Sequence, residues 1–188
     1  MKATMKVSVG LLALTLWAWP AHPSYGAFDG FLKIDAIPGE STDSAHPNEI
    51  VVLGWSWGMS QSGAALPGPG VTNKATFNDL VVIKLLDRAS PKLMLACASA
   101  TILPQLELVL RYPGGTNQVE FLKIKLEDVV VSKITSATPS TSSTPLPIEE
   151  VSFNYRKIEM IYQAVDQNGA PVGPPVSGVW DQGASQPG

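Results

Sequence analysis

One short stretch of the sequence has the residue types and the spacing of a catalytic motif. Residues 54–58 read G-W-S-W-G, the G-x-S-x-G pattern that holds a hydrolase serine, and His46 lies upstream. In a nucleophile elbow the serine sits on a sharp turn between a strand and a helix, and the histidine that activates it follows later in the chain. The stretch therefore raises the hypothesis that Ser56 is the nucleophile of a serine hydrolase.

Two features of the surrounding sequence argue against that hydrolase. The residues after Gly58 are rich in serine, glycine and proline and do not begin a helix, and no histidine follows Ser56. For the alternative chain order of histidine, acid and serine, Glu49 is the only acidic residue between His46 and Ser56. We keep the hydrolase as an alternative that Ser56→Ala tests, and we predict that the protein is not an enzyme.

Other residues that carry chemistry are equally scarce. The chain has one cysteine, Cys97, and two histidines, of which His22 lies in the N-terminal segment. A structural zinc site takes about four Cys or His ligands, so we predict no metal site and no bound cofactor. The acidic pairs Glu127-Asp128 and Glu149-Glu150 are adjacent in sequence, so on a strand their side chains point to opposite faces and do not share a proton.

The N-terminus has the order of a secretory signal peptide. Lys2 and Lys6 precede an apolar block at 7–19, and a tract with small residues follows at 24–27. Because a membrane-spanning helix needs about twenty apolar residues, we expect cleavage after Gly26 and no stable membrane anchor. A protein with this signal is expected in the periplasm or outside the cell. The expected parts are a signal peptide at 1–26, one domain at 27–182 and a disordered tail at 183–188.

The charge balance narrows the classes of partner. The 188-residue chain has 13 Lys and Arg against 16 Asp and Glu, a net charge of −3, and loss of Lys2 and Lys6 makes it 11 − 16 = −5. An acidic chain without a run of Lys or Arg does not attract nucleic acid or an anionic membrane surface, so we predict neither. Because Cys97 is alone, the fold has no internal disulfide and depends on its core.

The pattern of apolar residues predicts that the domain is mainly β. Large apolar residues occupy every odd position from Val51 to Met59, which predicts one extended strand. The small residues Gly54, Ser56 and Gly58 between them are expected where one face of this strand lies close against a neighbour.

Other strands follow from the same alternation. Residues 106–110 and 122–126 alternate apolar with largely polar residues on either side of a turn sequence at 113–117, which predicts a hairpin. Further strands are predicted at 28–34, 76–86 and 151–160, the last with a bulge near Lys157.

One helix interrupts the strands. Ser90 is placed to cap it, Pro91 suits the first helical position, and good helix formers continue from 92 to 100. Cys97 is expected to be a small buried hydrophobe within it. The segments at 60–70 and 135–147, rich in Gly and Pro or in Ser, Thr and Pro, are expected to be exposed loops.

Many of these residues resemble the Hcp family, the haemolysin-coregulated tube proteins of type VI secretion. The block before residue 63 is the most specific, and the later blocks follow in family order, so that the likeness covers roughly residues 28–180. The residues that carry it are Phe31-Leu32-Lys33-Ile34-Asp35, Ile37-Pro38-Gly39-Glu40-Ser41, Asp43, His46, Glu49-Ile50, the run from Trp55 to Gly63, Asp79-Leu80, Lys84, Asp87, Ala89-Ser90-Pro91, Leu93, Gly114-Gly115, Leu126-Glu127-Asp128-Val129, Glu150-Val151-Ser152-Phe153, Ile158 and Tyr162.

The resemblance implies a compact β-barrel of two sheets with one α-helix at its side. Family members form hexameric rings that stack into an inner tube, which a contractile sheath expels and whose lumen holds effector proteins. For this chain it implies a homo-hexamer, ring-on-ring stacking, and effector, sheath and spike proteins as further partners. Trp55, Trp57, Met59 and Gln61 are the candidate residues of the core or of the ring contact.

Two departures from the family pattern keep a second function open. Tube-building members assemble in the cytoplasm and carry no cleavable signal, so an alternative is a Sec-exported Hcp-like carrier or binding protein of the envelope or extracellular space. Pro67 and Pro69 also stand in a loop that many relatives fill with glycine and use for contacts between subunits or rings. Altered stacking is the expected consequence.

Overall fold

A computed structural model describes residues 28–62, 74–113, 118–138 and 146–184. The signal peptide predicted at 1–26 lies outside these residues. The described chain forms ten strands and one helix: β1 Asp29–Lys33, β2 Ile50–Val52, β3 Gly54–Ser56, β4 Met59–Ser62, β5 Lys74–Phe77, β6 Leu80–Leu85, α1 Ser90–Ala98, β7 Leu103–Arg111, β8 Glu120–Ala137, β9 Ile148–Tyr162 and β10 Val176–Asp181. In that part of the chain, no helix has the length and apolarity needed to cross a membrane.

Eight of the strands form one antiparallel sheet that curls into a nearly closed barrel. The strand order is β2-β1-β7-β8-β9-β6-β3, and β10 adds to β9 beside this path. Because β2 and β3 follow one another in the chain, the two ends of the sheet meet at Leu53, whose amide donates to the Ile83 carbonyl at 2.7 Å. The strands β4 and β5 form a separate two-stranded sheet. The predicted fold, mainly β with a barrel of two sheets and one helix, is confirmed.

The prediction of one strand from Val51 to Met59 is wrong. The segment changes neighbours along its length: β2 pairs with β1, β3 pairs with β6, and β4 pairs with β5. Each change of partner breaks the ladder, so three short strands replace one long one. The predicted strand at 76–86 is divided for the same reason into β5 and β6.

The interior of the barrel is filled by the apolar side of the longest strands. Leu106, Leu108, Ile124, Leu126 and Phe153 all have side chains with no exposed surface. The strand pairing of the predicted hairpin is confirmed, with Leu106 opposite Leu126 and Leu108 opposite Ile124. Residues 114–117 of its predicted turn lie outside the described residues. Burial of each such side chain stabilises the fold by about 1.5–3 kcal/mol.

The helix lies where the sequence predicts it but begins one residue earlier. The N-cap is Ala89, and Ser90 lies within the first turn together with Pro91. The buried side chains of Leu93 and Ala96 attach α1 to the core, and Cys97 is half-buried against the same core.

Three smaller predictions concern irregular positions. The bulge predicted near Lys157 is wrong, because the β8–β9 register is continuous there and shifts between Val131 and Lys133. The apolar pattern of β9 changes phase between Tyr155 and Ile158. These residues pair with Val129 and Leu126 of β8, on either side of Asp128, whose φ of 51° shows that the backbone irregularity lies in β8. The loops predicted at 60–70 and 135–147 begin later than expected, because β4 and β8 extend into them, and their remaining parts lie largely outside the described residues.

The predicted tail is described only as far as Ala184. The amides of Gly183 and Ala184 donate to the Asp181 carboxylate at 2.8 and 3.1 Å, which forms a turn directly after β10. Residues 185–188 lie outside the described part of the chain.

Candidate subunit-contact surface

The residues of the hydrolase-like motif are not arranged as a nucleophile elbow. Ser56 is exposed on β3 and pairs with Val81 of β6, so it lies on a strand and not on a strand-to-helix turn. The ring of His46 faces Glu49 and Glu120, at 3.0 and 3.4 Å from its two nitrogens. The structure therefore does not join Ser56 and His46 in a shared site.

The four candidate residues of the core or ring contact occupy different environments. Trp55 and Trp57 are half-buried and pack against the barrel core. Met59 is 52% exposed, and Gln61 is exposed on β4 opposite Ala75. The pair of tryptophans therefore contributes to the core and also leaves part of its surface open.

We call the large apolar residues at the odd positions of this segment the 51–59 stripe. They are Val51, Leu53, Trp55, Trp57 and Met59. Val51 and Leu53 are 45% and 51% exposed, close to the value of Met59. The residues between them show which side of each strand faces the interior of the barrel. Val52 is buried in the core, and a side chain at Gly54 would lie 3.4 Å from that of Ile83. In β2 the even residue Val52 therefore faces the interior. In β3 the odd residue Trp55 lies opposite the buried Val82, and the even residue Gly54 lies opposite Ile83, which is 38% exposed.

One end of the 51–59 stripe lies beside an aromatic groove. The Phe77 ring centroid is 6.3 Å from that of Trp57 and 6.1 Å from that of Trp180. The contact between Phe77 and Trp180 connects β5 to β10 across the groove. The groove has a volume of about 240 Å³, and its lining contains no charged residue. It is lined by Trp57, Met59, Phe77, Ile158, Met160, Gly178, Val179 and Trp180.

A hydrogen bond fixes the tryptophan at the base of this groove. The Trp57 indole Nε1–H donates to the Tyr155 hydroxyl at 2.5 Å, and that hydroxyl donates to the Asn78 carbonyl at 3.3 Å. Burial raises the pKa of the Tyr155 phenol, and the charge of Asp79 acts in the same direction. The phenol therefore stays neutral and keeps its own hydrogen bond to Asn78. Because its oxygen accepts from the Trp57 indole, Tyr155 on β9 sets the orientation of Trp57.

The other end of the 51–59 stripe borders an aliphatic groove. Leu86 and Leu146 line it together with Val51 and Leu53, the acidic residues Glu40 and Asp87 lie at its wall, and its volume is about 210 Å³. The four apolar side chains are each at least 40% exposed. Monomeric soluble proteins rarely expose large contiguous apolar areas, and such areas mark contact sites. The stripe and its two grooves thus have the properties of a protein–protein contact.

A second exposed apolar area lies on the helix. Met94, Leu95 and Ile102 are 57%, 61% and 64% exposed on α1 and the residues after it. Lys92 is the only charged residue of α1. A closed ring uses two different patches on each subunit, and the chain offers a second patch of matching apolar character here.

A buried ion cluster positions this helix, and sequence reasoning missed it. Lys84 on β6 has no exposed surface, and its ammonium donates to Glu149 at 2.8 Å and to the Ser90 hydroxyl at 2.9 Å. Asp87 lies 2.7 Å from the same ammonium. The available signal was the alternation of β6, which places Lys84 on the inward side with Leu80 and Val82.

A further polar cluster lies under the loop between β1 and β2. The Arg111 guanidinium donates to Asp43 at 2.7 Å and to Asp29 at 3.0 Å, and it lies 5.0 Å from the centre of the Phe31 ring. The hydrogen bond from Arg111 is the main reason that the pKa of Asp43 is lowered to about 2. These contacts hold the loop on the outer face of the barrel. Across the described ranges, no group of three or more His, Cys, Asp and Glu is arranged to hold a metal ion.

Comparison with known proteins identifies the family to which this barrel belongs. The family model described as "Type VI secretion system effector, Hcp" matches residues 31–162. The chain belongs to the Hcp family. The match spans β1 to β9, so the barrel that closes at the 51–59 stripe is the Hcp domain. The assignment to the tube proteins of type VI secretion, made from the sequence, is confirmed.

Individual Hcp relatives support the same assignment. Protein hcp1 of Pseudomonas aeruginosa is 41% identical over 156 residues, which cover 82% of this chain and 95% of that protein. A solved structure of a type six secretion system protein has a TM-score of 0.76 at 31% identity, covering 86% of this chain and 100% of its own. Hcp1 from Salmonella typhimurium has a TM-score of 0.69 at 33% identity, with coverage of 86% and 99%.

Proposed function

We propose that this chain is the subunit of a hexameric ring, and that its rings stack into the inner tube of a type VI secretion system. The observation that carries the proposal is the 51–59 stripe, which leaves large apolar side chains exposed on a barrel of the Hcp family. The function is geometric, since each copy contributes two unlike patches and the ring closes when every patch is covered.

The contact is expected to be large and apolar. Obligate interfaces commonly bury about 2,000 Å² or more and resemble a protein core cut in half. The aromatic groove supplies Trp57, Phe77 and Trp180, residue types that dominate the energy of such contacts. The exposed residues of α1 provide the second apolar patch. Effector, sheath and spike proteins are the proposed further partners of the assembled tube.

We propose no catalytic role for the chain. In support, Ser56 and His46 lie in separate environments, and each nitrogen of the His46 ring faces a carboxylate. Ester turnover unchanged by Ser56→Ala would agree with this view, and a loss of turnover would revive the hydrolase alternative.

The mass and shape of the native particle test the ring proposal. Residues 27–188 are purified, their mass is measured by light scattering, and the same sample is imaged in negative stain. Hexameric rings are the expected result. Monomer alone at high concentration would overturn the ring, and the exported carrier or binding protein would then be the better account.

The signal peptide supports that second candidate function. The sequence at 1–26 predicts export by the general secretory route, whereas the tube role requires assembly with the sheath. Comparing the intact mass of the protein from cytoplasmic and periplasmic fractions tests export. A cytoplasmic protein that keeps residues 1–26 would remove the carrier hypothesis, and a periplasmic protein without them would support it.

A further inference from the structure

His46 is buried between two carboxylates that belong to different parts of the chain. The residue is 5% exposed, and its ring stacks on Phe31 at 4.3 Å between centroids. Nδ1 lies 3.0 Å from Glu49 in the same loop, and Nε2 lies 3.4 Å from Glu120 at the start of β8. Among the described residues, Nε2 is the one buried side-chain nitrogen or oxygen without a hydrogen-bond partner.

The number of protons on this cluster decides whether both carboxylates can be satisfied. A neutral imidazole has one N–H. If that hydrogen lies on Nδ1 and both carboxylates are ionised, the Nε2 lone pair faces Glu120 and repels it. One further proton, either on the imidazole or on Glu49, allows Nε2–H to donate to Glu120 while Nδ1 keeps its hydrogen bond to Glu49. The loop is then tied to β8.

The neighbouring cations do not replace that proton. The charged groups that face the cluster are Lys33 on β1, Glu107 and Arg111 on β7, Glu120 and Lys123 on β8, and Asp43 in the loop. Arg111 is paired with Asp43, and Lys123 is paired with Glu120. In the described part of the chain, the Glu49 carboxylate has His46 as its only side-chain hydrogen-bond partner.

The environment of Glu49 also favours a protonated cluster. Burial raises the pKa of the Glu49 carboxyl, and the positive charge of a protonated His46 opposes that rise. Because the two groups interact directly, the proton belongs to the pair and not to one residue.

We propose that the His46–Glu49 pair holds a proton in the folded subunit and that this proton fastens the loop between β1 and β2 to Glu120. The loop leads directly into β2. We call the protonated contact between His46 and Glu120 the latch, and it also holds β2, the strand that closes the barrel and begins the 51–59 stripe. An unfolded histidine holds such a proton only below about pH 6.5. Above that pH the folded chain binds more protons than the unfolded chain, and its stability falls as the pH rises. The contribution is complete up to about pH 6.5 and is lost as the pH rises through the titration of the folded pair.

Unfolding by urea at about pH 5 and about pH 8 tests the latch. At a fixed protein concentration, the unfolding constant of the full chain is expected to rise with pH above about pH 6.5, by up to about tenfold per pH unit for one proton. His46→Gln is expected to remove this rise, and Glu120→Gln to reduce it. Glu159→Gln is the matched control, since that carboxylate faces Lys125 at 3.6 Å, and it is expected to keep the full pH dependence.

A direct measurement covers the case in which a variant does not fold. His22 is the only other histidine of the chain, so the imidazole nitrogens of folded wild-type protein can be assigned by ¹⁵N NMR. The proposal predicts a hydrogen on Nε2 of His46 at about pH 6. A bare Nε2 there, or a pH dependence equal in wild type and His46→Gln, would overturn it.

Discussion

The strand β7 and the 51–59 stripe have the same alternation of apolar residues and opposite surroundings. Leu106, Leu108 and Leu110 of β7 are at most 2% exposed, whereas Val51 and Leu53 are 45% and 51% exposed. In β7 the alternating leucines face the interior of the barrel. In the stripe Val51 and Leu53 are exposed, whereas Trp55 lies opposite the buried Val82 and packs against the core. Alternation therefore identifies side chains that share a face only within one strand, and the fold decides whether that face is core or contact surface.

The contrast between interior and surface is expected to be largest for charged side chains. Lys84→Met leaves Glu149 and Asp87 without their buried ammonium, and we expect it to lower the free energy of unfolding by about 3–5 kcal/mol. Chemical denaturation at a fixed protein concentration measures this loss. Lys133→Met, which breaks an exposed pair with Glu150, is the control and should cost at most about 1 kcal/mol. Equal losses would show that the buried cluster does not hold α1.

The same leucine substitution in the two regions compares them directly. Leu108→Ala in β7 opens a cavity in the core and should lower the free energy of unfolding by about 3 kcal/mol. Leu53→Ala removes a side chain that is half exposed and should change the unfolding of the isolated subunit by less than about 1 kcal/mol. Equilibrium unfolding under dilute conditions measures both values. If Leu53→Ala cost as much as Leu108→Ala, the stripe would be part of the core.

The hydrogen bond beneath the aromatic groove is expected to have a smaller effect. Trp57→Phe removes the donor to the Tyr155 hydroxyl while keeping most of the aromatic packing. The interaction should be about 1 kcal/mol in a double-mutant cycle with Tyr155→Phe, measured by thermal or chemical unfolding. A coupling near zero would mean that packing alone orients Trp57.

Acid is expected to act on the loop through Asp43. The pKa of Asp43 is lowered to about 2, first of all by its hydrogen bond from Arg111. A lowered pKa adds stability above pH 3.8, the ordinary value of this carboxyl, and that stability is lost as the pH falls toward 2. Asp43→Asn should therefore be less stable than wild type at neutral pH, with a difference that shrinks on acidification. A difference that stayed constant with pH would contradict the ion pair.

Local patterns predicted the β7–β8 hairpin and the helix because the residues that decide them are close in sequence. The division of residues 50–62 into three strands was not predictable in this way, since it depends on pairing with β1, β6 and β5. The two-sided environment of His46 was missed for the same reason, because Glu120 reaches it from a distant strand. The exposed apolar character of the 51–59 stripe likewise depends on the closure of the barrel at Leu53.

Light scattering of Met59→Asp against wild type tests the central claim that the 51–59 stripe is a subunit contact. Met59 lies on β4 outside the main sheet, so the charge should leave the barrel intact, as circular dichroism can verify. Val172→Asp, at an equally exposed apolar residue in the loop before β10, is the control. We expect hexamer mass for wild type and Val172→Asp and monomer mass for Met59→Asp. A folded Met59→Asp that keeps the hexamer mass would contradict it.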